Sequence, residues 1–307
     1  PDFDRNPFEA NIRALKSEIK KAFDLAEQKG MVGVNIMVAV SHYEETVKAA
    51  VEAGVDAIIS GAGLPLKLPE FTKGTQTAAA PIVSSGKAAS VICKSWDRNY
   101  QVIPDFMVLE GPLAGSHLGF SKEEVKNKTA KPVEEILPDV LQTIAPYEEK
   151  YGRKIPVFVA GGIFDGKDMA KMTKLGAAGV QMATRFITTH ECDATEAYKQ
   201  MYVDAIAEDV TIVNSPVGMP GRALRTTLIK RLDEGNQFPP KICNQCVTAC
   251  PKGNKTPYCI SRAVISAVKG NTEDGLFFTG ANVGRIDRIM SVRELMNEIY
   301  QEWRECC

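Results

Sequence analysis

Short apolar runs alternate with longer amphipathic segments along the first 190 residues of the chain. Runs that are apolar throughout predict buried strands, and they lie at 32–39, 57–60, 81–84, 106–110, 157–160 and 179–184. Apolar residues at helical spacing predict helices between these runs, at 7–29, 47–53, 87–95, 133–150 and 167–175. Fully apolar strands that alternate with helices indicate a parallel sheet covered on both faces.

This alternation predicts an α/β fold, and a TIM (β/α)8-type barrel in particular. Gly, Ser, Asn, His or Thr residues lie at the strand ends, which suits a barrel whose site is at the C-terminal rim. A doubly wound open sheet is the alternative that periodicity does not exclude. Since we count six strand–helix units and the first residue is Pro1 rather than Met, we expect the first strands of the barrel to precede this sequence.

The apolar pattern changes near residue 190 and predicts two parts. We expect a barrel domain at 1–190 and, at 191–307, a helical lid and C-terminal extension. Within the second part we expect a Cys-rich loop at 243–259 and a terminal helix at about 291–305.

The composition is that of an ordinary globular protein: 307 residues, 44% hydrophobic and 24% charged, with a formal net charge of −1. Near-neutral charge gives no electrostatic reason to expect nucleic acid or an anionic membrane as a partner. No apolar run reaches the roughly 20 residues of a membrane-spanning helix, and no signal peptide is recognisable. We therefore expect a soluble cytoplasmic protein.

His117 is the strongest candidate for catalysis. It lies in the glycine-containing segment 110–119, directly after the apolar run 106–109. Imidazole is the side chain best suited to proton transfer near neutral pH. A purely structural histidine is the alternative, but a glycine-rich strand end favours a catalytic role.

Two strand ends predict a phosphate site. Gly161 and Gly162 follow the run 157–160, where backbone N–H groups can approach an anion without interference from a Cβ atom. Segment 179–186 lies one strand–helix unit later, and barrels often bind phosphate at their last two strands. A glycine pair that only forms a tight turn is the alternative.

Four further polar residues stand out. Asn35 and Gln181 interrupt apolar strands, and a buried amide needs a partner, either neighbouring backbone or a heteroaromatic ring such as a flavin. Arg222 and Arg225 follow a Pro/Gly-rich loop. They belong either to a solvated helix face or to a lid that holds an anionic substrate group.

Four cysteines form a C-x2-C-x3-C-x8-C array at Cys243, Cys246, Cys250 and Cys259. Four thiolates on a short loop can enclose zinc or an iron–sulfur cluster. The spacing matches neither a common zinc ribbon nor a common ferredoxin run, so free thiols are the alternative.

In order and spacing, five segments resemble the flavin-dependent nitronate monooxygenases (formerly 2-nitropropane dioxygenases) and the related enoyl-acyl carrier protein reductase II. The segments are 33–37, 60–65, 110–119, 160–163 and 180–186, and the resemblance covers about residues 30–230. It implies an enzyme with a TIM-type barrel that binds FMN.

The resemblance also implies roles for single residues. His117 aligns with the active-site histidine of the family, the base proposed for nitronate oxidation. Gly161, Gly162, Ala183 and Thr184 would hold the flavin phosphate. The full set of expected cofactor-binding residues is Asn35, Gly63, Glu110, Gly115, Ser116, Gly161, Gly162, Gln181, Ala183 and Thr184.

The sequence departs from the family pattern at three places. Ser116 stands where the family has a second glycine before the histidine, and its side chain either crowds the ring or adds a hydroxyl to the site. The first strand, with its Gly-Gly-Met loop, is absent from this sequence. The Cys-rich segment is an addition to the simplest pattern.

Three functions follow from these observations. The leading one is an FMN-dependent oxidoreductase that oxidises small alkyl nitronates with O2. The second is an NAD(P)H-dependent enoyl-acyl carrier protein reductase, which would need an acyl channel and a basic docking patch. The third is a non-catalytic flavin- or metal-binding protein. For each we expect a small-molecule ligand, and a homodimer is possible.

Overall fold

The structure, a computed structural model, describes residues 6–27, 29–252 and 255–307. Parallel strands that alternate with helices make up most of the first 190 residues. The strands are β1 (Gly33–Met37), β2 (Ala57–Gly61), β3 (Ala78–Val83), β4 (Met107–Glu110), β6 (Val157–Ala160) and β7 (Gly179–Gln181). Within the described residues they form a six-stranded sheet in the order β1-β2-β3-β4-β6-β7. The strands predicted from apolar runs are thus all present, with boundaries shifted by a few residues.

The strand register follows the order of the chain. Gly33 pairs with Ala57 at the start of β1 and β2, and Phe158 pairs with Gly179 at the start of β6 and β7, both in parallel. The Gly111 N–H donates to the Ala160 carbonyl oxygen at 2.9 Å, which aligns the ends of β4 and β6. The carboxyl ends of neighbouring strands therefore meet at one edge, where barrel enzymes place their chemistry.

Two of the long helices between the strands begin at side-chain caps. Ser85 accepts a hydrogen bond from Ala88 N–H at the start of the helix that follows β3, and Asp165 does the same for Asp168 N–H after β6. The helices of this half are α1 (Pro7–Ala26), α2 (Tyr43–Glu52), α3 (Leu68–Thr72), α4 (Gly86–Tyr100), α5 (Lys122–Lys126), α6 (Val133–Tyr151), α7 (Gly166–Lys174) and α8 (Thr184–Ile187).

The region after residue 190 contains strands as well as the predicted helices. Its helices are α9 (Glu196–Val203), α10 (Thr227–Asp233), α11 (Ile260–Val268) and α12 (Val292–Cys306), and its strands are β8 (Val210–Asn214) and β9 (Pro220–Leu224). These strands pair antiparallel, and β9 also pairs with the short strand β5 (Ser116–His117). The pattern missed this sheet because its strands are short and a Pro/Gly-rich loop joins them.

The chain folds into two compact units. The first unit comprises Pro1–Val108, Asp139–Val157 and Asn244–Thr248, and the second comprises Leu109–Pro138, Phe158–Cys243 and Ala249–Cys307. In the first unit Trp96 is fully buried, and its indole N–H donates to the Pro65 carbonyl oxygen at 3.2 Å. In the second unit a core forms around Tyr202 and Phe277. The division at residue 190 remains a prediction from the sequence.

None of the helices in the described part of the chain is long and apolar enough to cross a membrane.

Candidate active site

The short strand β5 carries His117 in the second unit. His117 pairs with Gly221 of β9, and Ser116 pairs with Arg222. Gly115 precedes the strand where the chain passes close to residues 279 and 280; a Cβ atom there would lie 2.6 Å from the Thr279 carbonyl carbon. A larger residue would therefore displace β5 and its histidine.

Both ring nitrogens of His117 face serine hydroxyls. Ser116 Oγ lies 3.2 Å from Nδ1, and Ser215 Oγ lies 2.8 Å from Nε2. The ring also contacts Phe278, with the two ring centroids 5.2 Å apart. A hydroxyl can donate or accept, so either neutral tautomer satisfies both contacts. Two hydroxyls and one aromatic ring therefore fix the orientation of this imidazole.

Burial makes His117 a neutral group at physiological pH. Desolvation disfavours the imidazolium and lowers the pKa of His117 from 6.5 to about 4. The ring thus retains a lone pair for a proton at neutral pH, which is what a general base requires.

Glu110 shows the opposite effect at the carboxyl end of β4. Burial disfavours its carboxylate and raises the pKa of Glu110 from 4.5 to about 7. A carboxyl group with such a pKa can exchange protons near neutrality, and its strand end adjoins that of β6. Its part in a cofactor site remains a prediction from the sequence.

Ser116 has a left-handed backbone conformation, with φ +58°. This region is disfavoured for residues with a Cβ atom by about 1–2 kcal/mol and is open to glycine. Glycine, which the family pattern has at this position, would adopt this backbone conformation without strain. Here the chain has a serine whose hydroxyl reaches the catalytic candidate.

The ends of β6 and β7 form the second part of the site. Gly161 and Gly162 have φ values of +85° and +90°, and a Cβ atom on Gly161 would lie 2.8 Å from the Gly111 carbonyl oxygen. The Asn282 side-chain amide donates to the Gly162 carbonyl oxygen at 2.7 Å. Thr184 Oγ1 accepts the Gly280 N–H at 3.0 Å. A single segment, 280–282, therefore fixes both strand ends.

The remaining predicted cofactor residues fall into two groups. Gln181 lies half-buried on β7 and Ala183 directly precedes α8, so both belong to the second unit with Glu110, Gly161 and Thr184. Asn35 on β1 and Gly63 after β2 belong to the first unit. The expectation that Asn35 is a buried amide is wrong: the residue is exposed in the described structure.

The described residues contain no group of three or more His, Cys, Asp or Glu side chains that could hold a metal ion. The four-cysteine metal site predicted from the array is therefore not supported. Cys246 belongs to the first unit, where its carbonyl oxygen accepts the Ser41 N–H, whereas Cys259 precedes α11 in the second unit.

A cavity of about 650 Å³ lies within the second unit. Its walls are the strand end at 161–163, the start of α6, one side of α7, the segment 124–130 and the strands β8 and β9. Arg222 is 6% exposed and lines this cavity, and its Nη1 donates to the Ala114 carbonyl oxygen. His117 does not line it.

Sequence reasoning missed four residues of the site. Ser215, Phe278, Gly280 and Asn282 contact His117 or fix the strand ends, although they lie about 100 residues or more from their partners in the chain. The small polar segment Gly280-Ala281-Asn282 was the only local signal. No periodicity indicates which strand end such a segment will contact.

With this geometry in view, comparison with known proteins identifies the family. The family model described as nitronate monooxygenase matches residues 3–302. The chain belongs to the nitronate monooxygenase family. Membership confirms the resemblance and the predicted enzyme class, an oxidoreductase.

Two curated relatives illustrate the range of the family. One is a (3aS,4S,5R,7aS)-5-hydroxy-7a-methyl-1-oxo-octahydro-1H-indene-4-carboxyl-CoA dehydrogenase of Mycobacterium tuberculosis, 26% identical, with 87% of this chain and 76% of that protein covered. The other is a probable nitronate monooxygenase of Staphylococcus saprophyticus, 28% identical over 79% of this chain. This chain spans 63% of the length of the second relative.

Solved structures confirm the fold class. FabK from Thermotoga maritima is 27% identical with a TM-score of 0.73, covering 94% of this chain and 82% of that chain. A nitroalkane oxidase from Streptomyces ansochromogenes has a TM-score of 0.65 at 16% identity, covering 96% of this chain and 77% of that one. The α/β, TIM-barrel type of fold predicted from the sequence is therefore correct.

Proposed function

We propose that this protein is an FMN-dependent oxidoreductase that oxidises small alkyl nitronates with O2, with His117 as the proton acceptor. One observation carries the proposal: a half-buried imidazole that is neutral at physiological pH, in a strand-end hairpin, with a serine hydroxyl at each ring nitrogen. Because the chain belongs to the nitronate monooxygenase family, nitronate oxidation is the reaction in which we propose that this base acts.

The ends of β6 and β7 fit a flavin phosphate. Among the described residues, the N–H groups of Gly162 and Thr184 have no backbone acceptor, and they lie at the ends of neighbouring strands. Unpaired backbone donors at adjacent loops bind oxyanions. Gly161, Gly162, Ala183 and Thr184 would hold the phosphate, with Gln181 and Glu110 on the same strand ends.

FMN, when bound, supplies the acceptor for two electrons. The residues of this chain position the substrate and handle the proton. In the tautomer with its proton on Nδ1, His117 donates to Ser116 Oγ and accepts the Ser215 O–H at Nε2. Because burial disfavours the imidazolium, a proton that reaches the ring is readily released again. Gly115 and Ser116 complete the part of the proposed flavin site that lies in the second unit, and Asn35 and Gly63 remain predictions from the sequence.

A second candidate is an NAD(P)H-dependent oxidoreductase of an acyl thioester, such as an enoyl-acyl carrier protein reductase. The relative from Mycobacterium tuberculosis is named for a carboxyl-CoA substrate, and this chain covers 76% of it. Under either candidate the substrate is a small molecule. Homodimerisation and a cytoplasmic location remain predictions from the sequence.

An anaerobic absorbance titration of the purified protein separates the candidates. Bleaching of the visible flavin band by a propyl nitronate alone supports the nitronate proposal. Bleaching by NAD(P)H, reversed by an enoyl thioester, would assign the thioester reaction instead. Protein that carries flavin but is reduced by none of these donors would indicate a non-catalytic flavin-binding protein.

A further inference from the structure

Arg222 is a buried cation that has no acidic partner among the residues that the structure describes. It is 6% exposed, and burial alone lowers its pKa from 12.5 to about 10, with no nearby carboxylate acting in the opposite direction. Its hydrogen bond within the described chain is to a neutral acceptor, the Ala114 carbonyl oxygen. Buried charges are normally paired, because removing an ion from water costs several kcal/mol or more. An anion from outside the chain would satisfy this guanidinium.

The cavity beside Arg222 has room for such an anion. Its volume of about 650 Å³ lies within the roughly 300–1,000 Å³ typical of small-molecule sites. The acidic groups on its walls are occupied: Glu134 pairs with Lys171 at 2.5 Å and Asp168 pairs with Arg285 at 3.3 Å. Glu124 caps its own helix through Ser121. The anion would therefore meet little repulsion from these neutralised walls.

Besides charged residues, which include Lys126 and Lys128, the cavity wall has an apolar part. Leu113, Val133, Ile163 and Met172 line it together with the hairpin residues Val210 and Ile212. Ile212 pairs with Arg222 in the register of β8 and β9, so an apolar surface adjoins the guanidinium. A ligand that fills this space would carry an apolar body next to its charged group.

The cavity and His117 lie on opposite faces of the hairpin. Successive side chains of a strand point to opposite faces, and His117 is opposite Gly221, one residue before Arg222. Arg222 lines the cavity and His117 does not. A ligand bound to Arg222 would therefore occupy a site distinct from that of the base.

We propose that this cavity is a second binding site, for an amphipathic small molecule with one oxyanion group, a carboxylate or a phosphate, held by Arg222. The guanidinium donates a forked pair of hydrogen bonds to the oxyanion, and the apolar wall takes the hydrocarbon body. This site does not involve His117, but its wall includes Gly161 and Gly162, the proposed contacts of the flavin phosphate. The test therefore uses protein in which flavin already occupies those contacts.

Calorimetric titration of the flavin-loaded protein tests the proposal, with decanoate as the carboxylate probe, decyl phosphate as the phosphate probe and decanol as the neutral control. We expect at least one anionic probe to bind at least about tenfold more tightly than decanol, because charge-assisted hydrogen bonds exceed neutral ones. The probe that binds identifies the headgroup. Equal affinity for all three, or binding of none, overturns the proposal.

Three variants locate the binding. Arg222→Met replaces the buried cation by an apolar side chain of similar length and should remove the preference for the anion while the protein stays folded. Arg222→Lys keeps the charge without the fork and should retain part of the preference. Arg225→Met removes the neighbouring arginine, which is exposed and pairs with Asp233, and should change nothing.

These experiments measure binding and not turnover, so a negative result rejects the second site without bearing on the nitronate proposal. An unchanged anion preference in Arg222→Met, with a native-like circular dichroism spectrum, would overturn the assignment. If Arg222→Met does not fold, Arg222→Lys is compared with Arg225→Met instead. A partial loss of anion preference in Arg222→Lys supports the proposal, and full retention contradicts it.

Discussion

The two serines beside His117 determine how the ring can act. Ser116 and Ser215 each place a hydroxyl within hydrogen-bond distance of one ring nitrogen, and Ser215 lies 98 residues from the histidine in the chain. Ser215 is buried and also accepts the Val217 N–H at 3.2 Å, so its position is fixed by the loop that joins β8 and β9. Ser116 is held by the strand that carries the histidine.

Substitution of Ser116 separates backbone strain from the role of the hydroxyl. Ser116→Gly should relieve the left-handed conformation, whereas Ser116→Ala keeps its cost; we expect the glycine variant to be more stable by about 1 kcal/mol. Both variants lose the contact to Nδ1, so both should shift the pH dependence of kcat in the same way. Urea denaturation and pH–rate profiles measure the two effects.

Equal stability of the two Ser116 variants would show that the left-handed backbone is not a cost in solution. A pH profile identical to wild type in both would remove Ser116 from the positioning of His117.

The lowered pKa of His117 predicts how stability depends on pH. The unfolded chain binds a proton at this side chain below pH 6.5, whereas the folded protein does so only near pH 4. The free energy of unfolding should therefore fall as pH decreases from 6.5 to 4, by at most about 3 kcal/mol from this residue. Chemical denaturation of wild type and His117→Gln at pH 7 and pH 5 isolates the contribution.

Glu110 acts in the other direction in both proteins, because its pKa is raised to about 7 and its neutral form favours the folded state below that pH. The comparison of wild type with His117→Gln cancels this effect. The same loss of stability between pH 7 and pH 5 in both proteins would contradict a neutral buried imidazole.

At the scale of elements, the ends of β4 and β6 pack in close contact. The backbone at Gly161 approaches Gly111 and Ala114 so closely that no Cβ atom can be placed without movement. The glycine pair thus has a packing role besides the predicted phosphate contact. From the sequence we gave two interpretations of this glycine pair, a tight turn and a phosphate site. The two are compatible at this position.

Gly161→Ala should destabilise the protein by more than about 2 kcal/mol, because it adds a Cβ atom 2.8 Å from the Gly111 carbonyl oxygen at φ +85°. Gly152→Ala is the matched control: it also has positive φ, at +62°, but open space around the added atom. Thermal unfolding of both variants measures the difference. Equal shifts would mean that strain at positive φ, and not crowding, sets the cost.

The elements differed in how far the sequence could predict them. The strand 157–160 was predicted to the residue, since its apolar run is bounded by Pro156 and Gly161. The hairpin of β8 and β9 was not predicted, because five-residue strands carry little periodicity. His117 was found from its local motif, but Ser215 and Phe278 were not, since contacts between distant segments depend on tertiary pairing.

At the scale of the whole molecule, the order of motifs identified the family more securely than any one site residue. Five segments in sequence predicted a flavin-dependent barrel, and the family model matches residues 3–302. The Cys array shows the reverse case: an isolated spacing pattern suggested a metal site, and the described residues provide no such group. The metal site was inferred from one short motif and was not supported, whereas the family was inferred from five motifs in order and was confirmed.

The central claim is that His117 acts as the base in flavin-dependent oxidation of a nitronate. Stopped-flow absorbance under anaerobic conditions tests it most directly, with wild type and His117→Ala at matched flavin content. The substrate is 2-nitropropane, the neutral acid whose Cα–H a base must remove to give the nitronate that is oxidised. We expect flavin reduction in the variant to be slower by a factor of about 100 or more, the range for loss of a general base. Equal rates of flavin reduction in the two proteins, with FMN bound to both, would contradict the claim.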